Sequence, residues 1–138
     1  MKYLVASVSC FVLCLLIWVA AYGETVNYTY LLSSIPNKDS KTYILSVDEW
    51  YILPTDEQVE EQLNKLPYHR YITDTADCDD FVFQAKGHLA FTGWPVAFDA
   101  VPGHYLLAWY NVQHVWRFMD AQTLQYRKTP EKIYAFIF

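Results

Sequence analysis

The hydrophobic pattern of this chain changes period several times, and each change marks an element. Residues 3–23 carry no charge at all, reading YLVASVSCFVLCLLIWVAAYG after Met1-Lys2. Residues 25–32 read as extended, residues 36–39 (Pro-Asn-Lys-Asp) as a turn and residues 42–47 as a strand. A helical period then sets in: Val59, Leu63 and Leu66 recur behind Thr55, a good N-cap, with Asp56 and Glu57 facing the positive end of the helix. Pro67 closes that helix. A second stripe, Cys78, Phe81, Val82, Ala85 and Leu89, predicts a helix from about residue 77 to residue 89. Gly93-Trp94-Pro95 breaks it, and residues 96–98 read as a short strand. Residues 104–110 and 114–120 are rich in Trp, Tyr, Val and Phe around Asn111-Val112-Gln113, which predicts a hairpin. A turn at residues 128–131 and a last strand at 133–138 complete an α+β fold of two helices on an antiparallel sheet.

The uncharged leading run is an export element. Ala21 and Gly23 fit a signal peptide cut before Glu24. The run also reaches the roughly 20 residues that span a bilayer, and Lys2 on the inside would orient an uncleaved anchor the same way. Both readings divide the chain into 1–23 and a domain at 24–138, and both put the domain outside the cytoplasm: secreted, periplasmic, or tethered to the membrane by that segment alone. Lys2 is the only charged residue ahead of Glu24, so the exported body carries nine basic against fifteen acidic residues. Nucleic-acid binding needs a basic patch and is disfavoured by this balance.

Cys10 and Cys14 belong to the leading run, which leaves Cys78 as the single cysteine of the body and rules out an internal disulfide there. A lone thiol in an oxidising compartment asks for a reason. One is packing as a small hydrophobe. The other is reactivity: unpaired N–H groups in the first turn of a helix favour a thiolate and can hold an oxyanion. A base oriented by a third group is then needed. With a three-residue loop at 111–113, Tyr110 faces His114 and His104 faces Asp120, within reach on one face. An Asp opposite a His fixes its tautomer. A two-residue loop would pair His104 with Ala121 instead. Asp77, Asp79 and Asp80 beside the thiol oppose thiolate formation. Either they cap the helix, or they hold a hard cation such as calcium, to which Gln122 could add an oxygen.

The runs Asp77-Cys78-Asp79-Asp80-Phe81, Gly103-His104 and Asp120-Ala121-Gln122-Thr123 resemble the papain-like domain family that includes the C-terminal domain of the Marasmius oreades agglutinin and agglutinin-related, transglutaminase-like proteins of bacteria and phages. Residues 51–57 look like the lead-in helix of that family, and the similarity spans about residues 48 to 123. The resemblance implies a papain-like fold, calcium-dependent cysteine protease activity, a triad on Cys78, His104 and Asp120, and metal positions at Asp77, Asp79, Asp80 and Gln122. The family's third residue is usually Glu in a Glu-Pro-Gln run; here Asp120 is one methylene shorter and no proline follows it.

His69, His88 and His114 have no zinc-like spacing and no second cysteine to join. Twelve tyrosines and five tryptophans suggest core packing as readily as a platform; Trp50, Tyr51, Trp94 and Tyr105 are groove candidates. The expected function is an exported thiol hydrolase acting on a peptide, isopeptide or amide bond of a peptide, a protein or a cell-envelope component. A transglutaminase-like transferase would use the same acyl-enzyme. The alternative is a non-catalytic, envelope-exposed binding protein on the same fold.

Overall fold

The computed structural model describes residues 23–38, 40–46, 48–67 and 77–138. The predicted export element at 1–23, apart from Gly23, and His69 lie outside the described residues. Chain order is β1 (Thr25–Asn27), α1 (Tyr28–Ser34), β2 (Tyr43–Leu45), β3 (Trp50–Ile52), α2 (Asp56–Leu63), α3 (Cys78–Leu89), β4 (Val96–Val101), β5 (His104–Tyr110), β6 (Trp116–Asp120), β7 (Gln125–Arg127) and β8 (Ala135–Ile137). The arrangement is α+β. Six strands form one sheet in the order β2-β8-β4-β5-β6-β7, antiparallel except for the parallel β2–β8 pair, and β1 pairs with β3 in a separate ribbon.

Side chains alternate across each strand, and the two faces of the sheet bury different partners. Leu106, Ala108, Tyr110, Phe118 and Phe136 pack with Leu31 and Ile35 of the α1 segment and with Tyr51. Leu107, Trp109, Met119, Val96 and Phe98 pack under Val59 and Leu63 of α2 and Phe81, Val82, Ala85 and Leu89 of α3. Four of the five stripe residues, Phe81, Val82, Ala85 and Leu89, are therefore buried as their spacing predicts, while Cys78, the first, is only half-buried. Each such Val, Leu, Ile, Phe or Met side chain taken from water contributes about 1.5–3 kcal/mol.

α2 starts as its sequence asks. Thr55 Oγ1 accepts from Gln58 N at 3.2 Å while Gln58 Oε1 accepts from Thr55 N at 2.8 Å, a reciprocal capping box. The helix ends at Leu63 and turns through Leu66, short of Pro67.

Three expectations are corrected. Residues 25–32 are not one extended run: Asn27 Oδ1 accepts from Tyr30 N at 3.1 Å and caps helix α1, so a local side-chain bond overrides the β-leaning Tyr-Thr-Tyr. The short strands β3 and β7 are additional. The hairpin register also differs, because Leu107 pairs with Met119 and Tyr110 with Trp116. The loop spans residues 111–115, closed by Asn111 N on Val115 O at 3.2 Å. Asn111 Oδ1 organises it by accepting from Gln113 N and Val115 N, each at 3.1 Å, and His114 turns the chain at φ 58°.

Candidate functional site

Cys78 is the first residue of the twelve-residue helix α3, with Asp77 at the N-cap. At 1.5 Å per residue α3 is about 18 Å long, close to the roughly 20 Å of six-residue β4. The short link through Ala90–Thr92 reverses the chain, so the two run antiparallel. Phe83 stacks on Phe98 with ring centroids 4.6 Å apart, and Phe98 meets Tyr105 at 4.9 Å. Cys78, five residues before Phe83, therefore lies toward the end of the sheet where β4 finishes and β5 begins at His104.

His104 and Asp120 stand at that same end. Continuing the observed register puts Leu106 opposite Asp120, so His104 is a diagonal neighbour of Asp120 rather than its direct partner. A shift of two residues along one strand keeps both side chains on one face, and the contact survives: His104 Nε2 lies 3.3 Å from Asp120 Oδ2.

Asp120 has further partners that sequence reading missed. Arg127 Nη2 donates to the same Oδ2 at 2.9 Å, and Oδ1 accepts from Gln122 N and Thr123 N, each at 3.1 Å. Burial works to raise the Asp120 carboxyl, but Arg127, Thr123 N–H and His104 outweigh it and hold the group below the usual carboxylate range. Arg127 is on three-residue β7, a strand too short to leave a period in the sequence.

Cys78 is less closely tied. It starts the helix that covers the Leu107 and Trp109 face, whereas His104 alternates onto the face of Leu106 and Ala108. Thiol and imidazole can approach only around the open end of the sheet, and among the described residues no hydrogen bond joins them.

Three potential donors cluster at the helix start: Asp77, Cys78 and Asp79 each offer one atom within 4.8 Å of the others. The Asp77 carboxyl is pushed up, first by the hydrogen bond it shares with Asp79, then by desolvation and the charges of Asp79 and Asp80. Its Oδ1 is shielded without a partner, which favours a cation. The donor set argues the other way. Calcium takes six to eight oxygens, and this cluster supplies two carboxylates and a sulfur. Asp80 Oδ2 already accepts from Asp77 N at 3.3 Å, and Gln122 enters through its backbone, as a donor to Asp120. The described residues do not fit the calcium site that the resemblance implies.

The remaining candidates scatter. His88 is exposed on α3, and His114 Nε2 meets Glu24 Oε1 at 3.1 Å in the hairpin loop. Trp50 is exposed and Tyr105 half-buried; Tyr51, a core residue whose hydroxyl meets Ser46 Oγ at 2.5 Å, and half-buried Trp94 both line a small pocket of about 100 Å³ with Lys86 and Phe138.

Neither a scan of family models nor a search of curated protein sequences gave a match. Among solved structures the chain is similar to one described as a PSL1a-E64 complex, with a TM-score of 0.70 and 17% identity over 83% of this chain. The chain covers 50% of that structure's length. At this identity the likeness is one of fold.

Proposed function

We propose that the chain is an exported thiol hydrolase with a papain-like domain, acting on a peptide, isopeptide or amide bond. The observation that carries this reading is the His104–Asp120 contact at the end of the sheet toward which α3 begins with Cys78. The fold shared with PSL1a, a protein seen in complex with E64, supports it.

In this reading the Cys78 sulfur attacks the carbonyl carbon and His104 takes the thiol proton. The Cys78 N–H at the helix start faces the oxyanion. Collapse expels the amine, which takes the proton from His104, and leaves an acyl-enzyme; water, activated by His104, releases the acid. An amine in place of water gives the transferase outcome. Asp120 orients the imidazole and stays ionised throughout, and Arg127 keeps it so. Peptides, proteins or cell-envelope components are the substrates this chemistry serves.

A second reading, a non-catalytic binding protein on the same fold, is favoured by one observation: the thiol and His104 are not hydrogen-bonded, and His104 alternates onto the sheet face opposite the one that α3 covers. Alkylation by iodoacetamide at neutral pH separates the two. In the hydrolase, His104→Ala slows Cys78 labelling by roughly tenfold or more; equal, slow labelling of both chains would leave the binding reading. Repeating both arms with calcium and with a chelator is expected to change neither rate, and a calcium-dependent rate would reinstate the metal.

A further inference from the structure

Away from Cys78, α2 and the β6–β7 edge wall a cleft of about 760 Å³, within the size range of small-ligand sites. Asp56, Glu57 and Glu60 of α2 line one side, and Arg117, Arg127 and Lys128 line the other. The opposed charges are equal in number. Several are spent internally. Arg117 Nη2 lies 2.6 Å from Asp56 Oδ2, and Tyr126 Oη donates to Glu60 Oε1 at 2.5 Å. Arg127 gives one Nη2 to Asp120 and leaves its side chain 47% exposed, with most of its five N–H donors unclaimed. Lys128 and Glu57 bond to nothing among the described residues. Val115 and Tyr126, both part-exposed, offer apolar surface between the walls.

The chemistry of an occupant follows from this balance. A dianion such as phosphate would be drawn to Arg127 and Lys128 but repelled by Glu57 and Glu60 across the cleft, Asp56 being offset by Arg117. A bare cation meets the converse. A ligand carrying one carboxylate and one ammonium, joined by an apolar or amide spacer, meets a complementary group on each wall.

We propose that this cleft binds short zwitterionic peptides, with the carboxylate on Arg127 and Lys128 and the ammonium on Glu57. The site stands independently of whether Cys78 reacts. Its inner wall is nevertheless shared with the His104 pair through Arg127, whose guanidinium faces the cleft and Asp120 at once.

The test is calorimetric titration of the Cys78→Ser chain, which cannot turn a peptide over, with alanine peptides of two to four residues. Saturable binding is expected, and N-acetylation or C-amidation of the peptide should each weaken it roughly tenfold. Lys128→Ala should weaken the free peptide but not the amidated one; Glu57→Gln should weaken the free peptide but not the acetylated one. Neither side chain makes an internal bond, so both variants are expected to fold, and matching thermal melts check this. Blocked and free peptides binding alike, or no saturation at millimolar concentration, would overturn the proposal. Inorganic phosphate displacing the peptide at equal concentration would reassign the basic wall to phosphate.

Discussion

Two aspartates of this domain are largely withdrawn from water, and they could hardly be treated more differently. Asp56, at the start of α2, collects Trp109 Nε1 at 3.0 Å and Asn111 Nδ2 at 2.9 Å on Oδ1, and Arg117 Nε at 2.6 Å on Oδ2. Asp99, in the middle of β4, is 0% exposed between Leu106 and Phe136, and neither of its carboxylate oxygens has a partner. The same side chain is a hub in one place and a stored cost in the other, because burial penalises a charge only as far as donors fail to replace water. The Asp56 carboxyl feels burial too, but Arg117, Asn111 and Trp109 outweigh it and hold it below the usual range. Burial alone pushes Asp99 up to about 7.

The largest expected effect comes from removing the stored cost. Asp99 stays protonated in the folded chain until about pH 7, whereas in the unfolded chain it ionises near 3.8. Its penalty is therefore absent below pH 4 and grows as pH rises toward 8. Asp99→Asn should raise stability at pH 8 relative to pH 4 by about 4 kcal/mol more than in the wild type. Urea melts at the two pH values measure it, and parallel curves for the two chains would mean that Asp99 finds a partner after all.

The next largest effect tests the hub. Asp56→Ala strands Trp109, Asn111 and Arg117 together and should cost about 3 kcal/mol at pH 7. Because the folded carboxyl is held low, this loss should shrink as pH falls below 4, the opposite trend to Asp99. A pH-independent loss in chemical denaturation would show that packing, and not the charge, is what Asp56 supplies.

The smallest effect separates the hub from the helix it sits on. Thr55→Ala removes the acceptor of Gln58 N–H and should cost about 1 kcal/mol, leaving the alkylation rate of Cys78 unchanged. A loss as large as that of Asp56→Ala would make the cap and the hub one cooperative unit.

These contrasts also explain what could be read from the residues. Elements whose cause is local were legible: the Thr55 cap, the α3 stripe from Cys78 to Leu89, and the β5 and β6 runs. α1 was hidden because Asn27 decides it through one side-chain bond against the lean of its neighbours. The register slipped because Asn111 builds a five-residue loop, and its Nδ2 is anchored to Asp56, 55 residues away. At the candidate site the nearness of His104 and Asp120 was legible, although the direct pairing that a three-residue loop implied gave way to a diagonal one. Arg127 was not, because nothing near it in sequence announces β7, and neither was the mismatch of faces between Cys78 and His104. Asp99 could not be told from any polar strand residue, since its isolation depends on β8 arriving from the far end of the chain.

That arrival sets an order of events. β8 lies between β2 and β4, and its parallel pairing with β2 joins residues about 90 apart. Its neighbour Phe138 adds a bond from its N–H to Leu45 O at 3.0 Å. Contacts this distant in sequence form late and slow the approach to the native state. Until β8 is delivered, β2 has no partner strand and β4 presents an unpaired edge flanked by apolar side chains. During that interval the nascent chain offers a template to any neighbouring copy.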